Sequence, residues 1–97
     1  PWNDTTPVVK EFHKAIRAFT KQGNYSYYGI EGFLNAKLMT EAVKKLGKDP
    51  TREKLVTTLE SSNFDLGGYR VGYSPTNHNG SRFVDLTVLG RDGRVLR

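Results

Sequence analysis

"IEGFLNAKLMTEAVKKLGKDPTREKLVTTLES", residues 30–61, decides how this chain folds. Ile30, Phe33, Leu34, Leu38, Met39, Ala42, Val43 and Leu46 recur at helical spacing, with Lys37, Glu41, Lys44 and Lys45 on the other side. The pattern predicts a long helix over about 29–46. Its apolar stripe is wide, so the helix must be covered by more than one neighbour. Gly47 ends it, and Asp49-Pro50-Thr51 opens a third, short helix over about 50–61, with Asp49 or Thr51 as its cap. Leu55, Val56 and Leu59 form its inward face, and Ser61-Ser62-Asn63 breaks it.

Upstream, Thr6-Pro7 starts a first helix over about 7–21, since proline at the first helical position loses no hydrogen bond. Val8, Phe12, Ala15, Ile16 and Phe19 keep helical spacing, and Gln22-Gly23 is the expected stop. Downstream the period changes from helical to alternating. Tyr69, Val71 and Tyr73 predict a strand over about 69–73, and "SPTNHNGS", residues 74–81, is loop chemistry. Val84, Leu86 and Val88 share one face of an expected strand over 82–89. Asp92-Gly93 then suggests a tight turn into a last strand over 94–96. No internal repeat, linker or low-complexity segment interrupts residues 1–97, which read as a single unit of three helices and two or three strands.

With 97 residues, 36% apolar and 26% charged, the composition is that of a globular chain and not of a disordered one. No apolar run is long enough to cross a bilayer. The opening Pro1-Trp2-Asn3 looks like a cut, so the lack of a leader says nothing about compartment. Absence of cysteine excludes disulfides, thiolate catalysis and cysteine zinc sites. The net charge of +5 raises the question of an acidic partner. Yet Lys10, Lys14, Arg17, Lys21, Lys37, Lys44, Lys45, Lys48, Arg52 and Lys54 are scattered over three helical segments, the pattern of solvated faces.

His13 and His78 are the only histidines, and no metal spacing accompanies them; His13 reads as a surface residue and His78 as a turn residue. No nucleophile–base signature is present, Gly67-Gly68 precedes a strand instead of opening a helix, and Asp65, Asp85 and Asp92 show no pairing. The residues therefore argue for no enzyme, metal or cofactor. Tyr25, Tyr27 and Tyr28, three tyrosines within four positions at a helix entrance, are the candidate binding residues. They could pack their rings on the core, or they could border a ligand beside free backbone N–H groups. Three helices followed by a basic hairpin is also the order of a winged-helix nucleic-acid-binding domain, with 51–61 as recognition helix and 69–89 as wing. Against that alternative, the recognition helix would offer only Arg52 and Lys54 before Leu55-Val56, with no Asn or Gln to read adenine.

From Tyr25 onward the chain resembles the C-terminal portion of type I periplasmic binding proteins, the solute-binding subunits of ABC importers related to the leucine/isoleucine/valine-binding protein. Residues 30–61 are similar to that family's long helix, Gly stop, Asp-Pro-Thr-Arg-Glu helix start and short helix. "LGGYRVGYSPTNHNGSRFVDLTVLGRDGRVLR", residues 66–97, is similar to its closing segment, and "PVVKEFHKAIRAF", residues 7–19, to the preceding helix. The resemblance implies an α/β fold, a fragment of a two-lobed architecture several times longer than this chain. It implies a non-enzymatic, periplasmic role in binding a small solute, such as a branched-chain amino acid or a related acid or amide. The implied partners are that solute, the remaining segments of the parent and a membrane permease, with no nucleic acid and no cofactor. In the family the stretch just before the long helix faces the cleft between lobes, which puts Tyr25, Tyr27 and Tyr28 on a ligand wall.

Overall fold

The computed structural model describes residues 5–21, 23–84 and 86–96. Pro1-Trp2-Asn3, Gln22 of the expected helix stop and Asp85 of the expected strand lie outside the described residues. Helices α1 (Pro7–Thr20), α2 (Tyr27–Leu46) and α3 (Arg52–Ser61) are followed by strands β1 (Asn63–Asp65), β2 (Arg70–Gly72), β3 (Val88–Leu89) and β4 (Val95–Leu96). β1 pairs antiparallel with β2, and β3 with β4, in two separate ribbons. Residues 69–89 therefore form no wing: their two strands belong to different ribbons.

Capping explains most helix ends. Ser26 accepts from the Gly29 amide at 2.9 Å and starts α2 two residues before the expected position. Thr51, not Asp49, caps α3 by accepting from the Lys54 amide at 3.1 Å. Thr6 occupies the cap position of α1 but makes no side-chain cap bond. The Gly67 carbonyl does that work instead, accepting from the Val8 amide at 2.9 Å and docking the β1–β2 turn onto the start of α1. Gly47 ends α2 at positive φ as expected. The stop of α1 differs: Lys21, not Gly23, takes the left-handed conformation, at φ 59°. The reversal comes early because the following link must fold back along α1 for Tyr25 to reach His13 and Arg17.

Buried Val8, Ala42, Phe64, Leu66 and Val71 form the core, with Phe33, Leu34, Leu38, Leu55 and Leu59 packed against it. Thus α2 does touch several neighbours: α1, α3 and the β1–β2 ribbon. Strand β1 falls where the polar Ser61-Ser62-Asn63 predicted only a break. Phe64 opposite Val71 supplies its buried cross-strand pair. At its turn Asp65 accepts from the Gly67 and Gly68 amides at 3.0 and 2.9 Å. The Gly68 and then the Gly67 bond hold its carboxyl below the usual carboxylate range.

The expected strand over 82–89 is paired only at Val88–Leu89. Its alternation is intact, but a strand needs a neighbour to share hydrogen bonds, and the rest of this stretch has none among the described residues. Phe83, Val84, Leu86, Val88 and Leu89 are 65–86% exposed. The whole chain exposes 7687 Å², against about 5,600 Å² for a compact monomer of this mass. Its radius of gyration is 15.7 Å, where about 12.5 Å is usual for this length.

Candidate functional site

The N-terminal turn of α2 opens onto a groove. One wall is the α2 face carrying Tyr27, Ile30, Leu34 and Leu38. The other is Tyr69, Val71 and Tyr73, and His78, Arg82 and Phe83 also line it. The groove holds about 1310 Å³, more than the roughly 300–1,000 Å³ of sites that enclose a small molecule. Tyr69 and Phe83 meet edge-on with centroids 5.9 Å apart. His78 leaves its turn to bond Glu60 of α3, Nε2 to Oε2 at 2.7 Å, and meets the Tyr73 ring edge-on at 6.4 Å. Among the described residues no three His, Cys, Asp or Glu side chains form a metal-binding group, and no helix is long and apolar enough to cross a membrane.

The three candidate tyrosines do not share one surface. Tyr25 turns toward α1. Its ring stacks on the His13 imidazole, centroids 3.8 Å apart and planes within 10°, and tilts against buried Phe12 at 5.9 Å. Its hydroxyl accepts from Arg17 Nε at 2.8 Å. Tyr27 is 43% exposed and lines the groove. Tyr28, at 87%, presents its ring to solvent beside the first turn of the helix. Tyr27 and Tyr28 are a single helical step apart, about 100° around the axis, so their side chains leave α2 in different directions.

The electrostatics of that turn suit a negative group. Helix N-termini carry unsatisfied N–H donors and the positive end of the helix dipole, and the first turn of α2 holds no acidic side chain. An exposed aromatic there offers apolar area, and its hydroxyl can orient a polar end. In the sequence His13 reads as a surface residue and Arg17 as one of many scattered cations. Both prove to be the partners of Tyr25. Their spacing of four on one helix was a usable sign, since it places them on one face.

The family model for periplasmic binding proteins matches residues 1–94. Among solved structures the chain is similar to an extracellular ligand-binding receptor from Verminephrobacter eiseniae EF01-2, with 34% identity and a TM-score of 0.85. That likeness covers 100% of this chain and 28% of the receptor, so the chain spans little more than a quarter of its relative's length. Comparison with curated proteins found no match. A family match over nearly the whole sequence, together with three helices and paired antiparallel strands in the same arrangement as the receptor, displaces the winged-helix alternative: the chain belongs to the periplasmic binding protein family, of the type I, leucine/isoleucine/valine-binding-protein-like kind.

Proposed function

We propose that this chain is the C-terminal part of the extracytoplasmic solute-binding subunit of an ABC importer. Its role is binding without catalysis: two lobes close over a small solute, and a membrane permease takes up the closed form. The observation that carries the reading is the family match over residues 1–94, reinforced by 34% identity to a protein described as a ligand-binding receptor. The excess surface supports the two-lobed parent. Roughly 2,000 Å² beyond a compact monomer's surface, with an apolar ribbon and a groove too large for a solute, is what a piece of a larger body presents. On this reading the remaining segments of the parent complete the groove beyond Tyr27 and supply a strand partner for residues 82–87.

Within that parent, Tyr27 and Tyr28 form one wall of the interlobe cleft, with Tyr25 behind them. A solute carboxylate meets the positive end of the α2 dipole, and the Tyr28 ring covers the apolar part of the solute. Branched-chain amino acids, related amides and aromatic acids are the candidate solutes. Calorimetric titration of the full-length protein with a panel of these tests the reading. One of them should bind, and Tyr28→Ala should weaken it by about 1–3 kcal/mol while leaving the ligand-free melting temperature within a degree or two. Binding unaffected by substitution of both Tyr27 and Tyr28 would remove them from the wall.

A further inference from the structure

We propose that His13, Arg17 and Tyr25 form a brace that positions the first turn of α2, and with it Tyr27 and Tyr28. The assignment of Tyr27 and Tyr28 to a ligand wall rests on the reading above; the brace itself rests on geometry. The link between α1 and α2 is short, and only Ser26, the cap of α2, separates Tyr25 from Tyr27. Tyr25 is held three ways: its face lies flat on His13, its ring tilts against Phe12, and its hydroxyl accepts from Arg17. On the other side of the cap, α2 is fitted to α1 without slack. A Cβ added at Gly29 would stand 3.3 Å from the Phe12 ring and 3.1 Å from Ser26 Oγ. Further along, Lys37 of α2 pairs with Glu11 of α1.

Core filling does not account for this arrangement. Phe12 is buried, but Arg17 is exposed, and Tyr25 and His13 are only partly covered. A ring packed merely to bury area would not need its hydroxyl directed at a solvated guanidinium. What the three contacts do supply is restraint: a short link with a stacked and hydrogen-bonded ring has few alternative conformations. The backbone that leaves Tyr25 therefore reaches Ser26 in one geometry, and the direction of the first turn of α2 follows. Tyr25 has one face and its hydroxyl committed to α1, so it is a positioning residue, set behind the wall to which the reading above assigns Tyr27 and Tyr28.

Hydrogen exchange of the ligand-free full-length protein, followed peptide by peptide, tests the brace without any solute. Arg17→Met keeps the aliphatic stem and removes the donor; Tyr25→Leu removes both hydroxyl and stack. Arg17→Met should speed exchange of amides 24–30 by about threefold or more, and Tyr25→Leu by about tenfold, with residues 63–72 unchanged within twofold. Arg17→Lys, which restores a donor, should return amides 24–30 toward the parent rate. Unchanged exchange at 24–30 in both disruptive variants would overturn the brace, as would a uniform rise along the chain or no recovery with lysine. Because no ligand enters the measurement, its failure leaves the ligand wall standing, and failure of the wall leaves the brace standing.

Discussion

The two β ribbons share a local design and have opposite fates. Each is an antiparallel pair closed by a short turn with glycine at positive φ and an aspartate accepting from a turn amide: Asp65 with Gly67 and Gly68, Asp92 with Arg94. Yet Phe64, Leu66 and Val71 of the first are buried, while Val88 and Leu89 of the second stand in water. The first ribbon lies against helices and has its turn bonded to the start of α1 through Gly67. The second ribbon rests on its own ladder and on the Gly90–Arg94 turn bonds. An isolated two-stranded ribbon is marginal in water, so turn chemistry selects who pairs with whom but does not supply the stability. That comes from what the ribbon is packed against.

The largest contrast should appear when a buried side chain of the first ribbon and an exposed one of the second are removed. Phe64→Ala should cost about 3–5 kcal/mol, enough to abolish cooperative urea unfolding of the 97-residue chain, whereas Val88→Ala should stay within about 0.5 kcal/mol. Equal effects would break the comparison. Next in size is a change of context. Leu86→Ala should leave the 97-residue chain nearly unaffected but cost about 2 kcal/mol or more in the full-length protein, if residues 82–87 gain a paired strand and a covering layer there. Urea midpoints of the two proteins decide this, and a neutral substitution in both would mean the apolar stretch stays exposed.

The turns differ as well. Gly67 has φ 100°, and a Cβ there would lie 2.9 Å from the Val8 amide nitrogen, whereas Gly93, at φ 80°, has open space around it. Gly67→Ala should cost about 2–3 kcal/mol, combining backbone strain with a displaced helix start, and Gly93→Ala only about 1 kcal/mol of strain. Thermal melts of both variants would sharpen or dissolve the distinction. The smallest effect is that of pH on Asp65, whose carboxyl the Gly68 and Gly67 amides hold below its ordinary value. A depressed native value means the carboxylate's contribution is complete above the ordinary value, about 3.9, and is lost as pH falls through the native one. Asp65→Asn should therefore flatten the acid limb of the stability profile by lowering stability at neutral pH toward the level the parent reaches in acid, where the two should converge. An acid limb identical to the parent's would remove Asp65 as its source.

Much of the helical layer was legible in the residues. Pro7, the Val8–Phe12 spacing, Gly47 and Thr51 carry their signals within a turn or two of the place where they act. The start of α2 is poorly marked in the sequence, because Ser26 has no acidic residue three positions on and Gly29 resembles a helix beginning. β1 was not legible at all: three residues, one of them apolar, show no period. For the candidate site, the tyrosine cluster stood out as composition, but the division among Tyr25, Tyr27 and Tyr28 did not.

What the sequence by itself determined is whatever depends on near neighbours: three helices with the stops of α2 and α3, the turn at Asp92-Gly93, the alternation of 82–88, and the motif order that resembles the family. The tertiary structure alone decided that Gly67 caps α1 from sixty residues away, that Phe64 meets Val71 in the core, and that Tyr25 faces α1 while Tyr28 faces water. The reason is physical. Local propensity and capping act through bonds closed within a few residues, whereas burial and strand pairing require a partner surface, and no stretch of sequence contains its own partner.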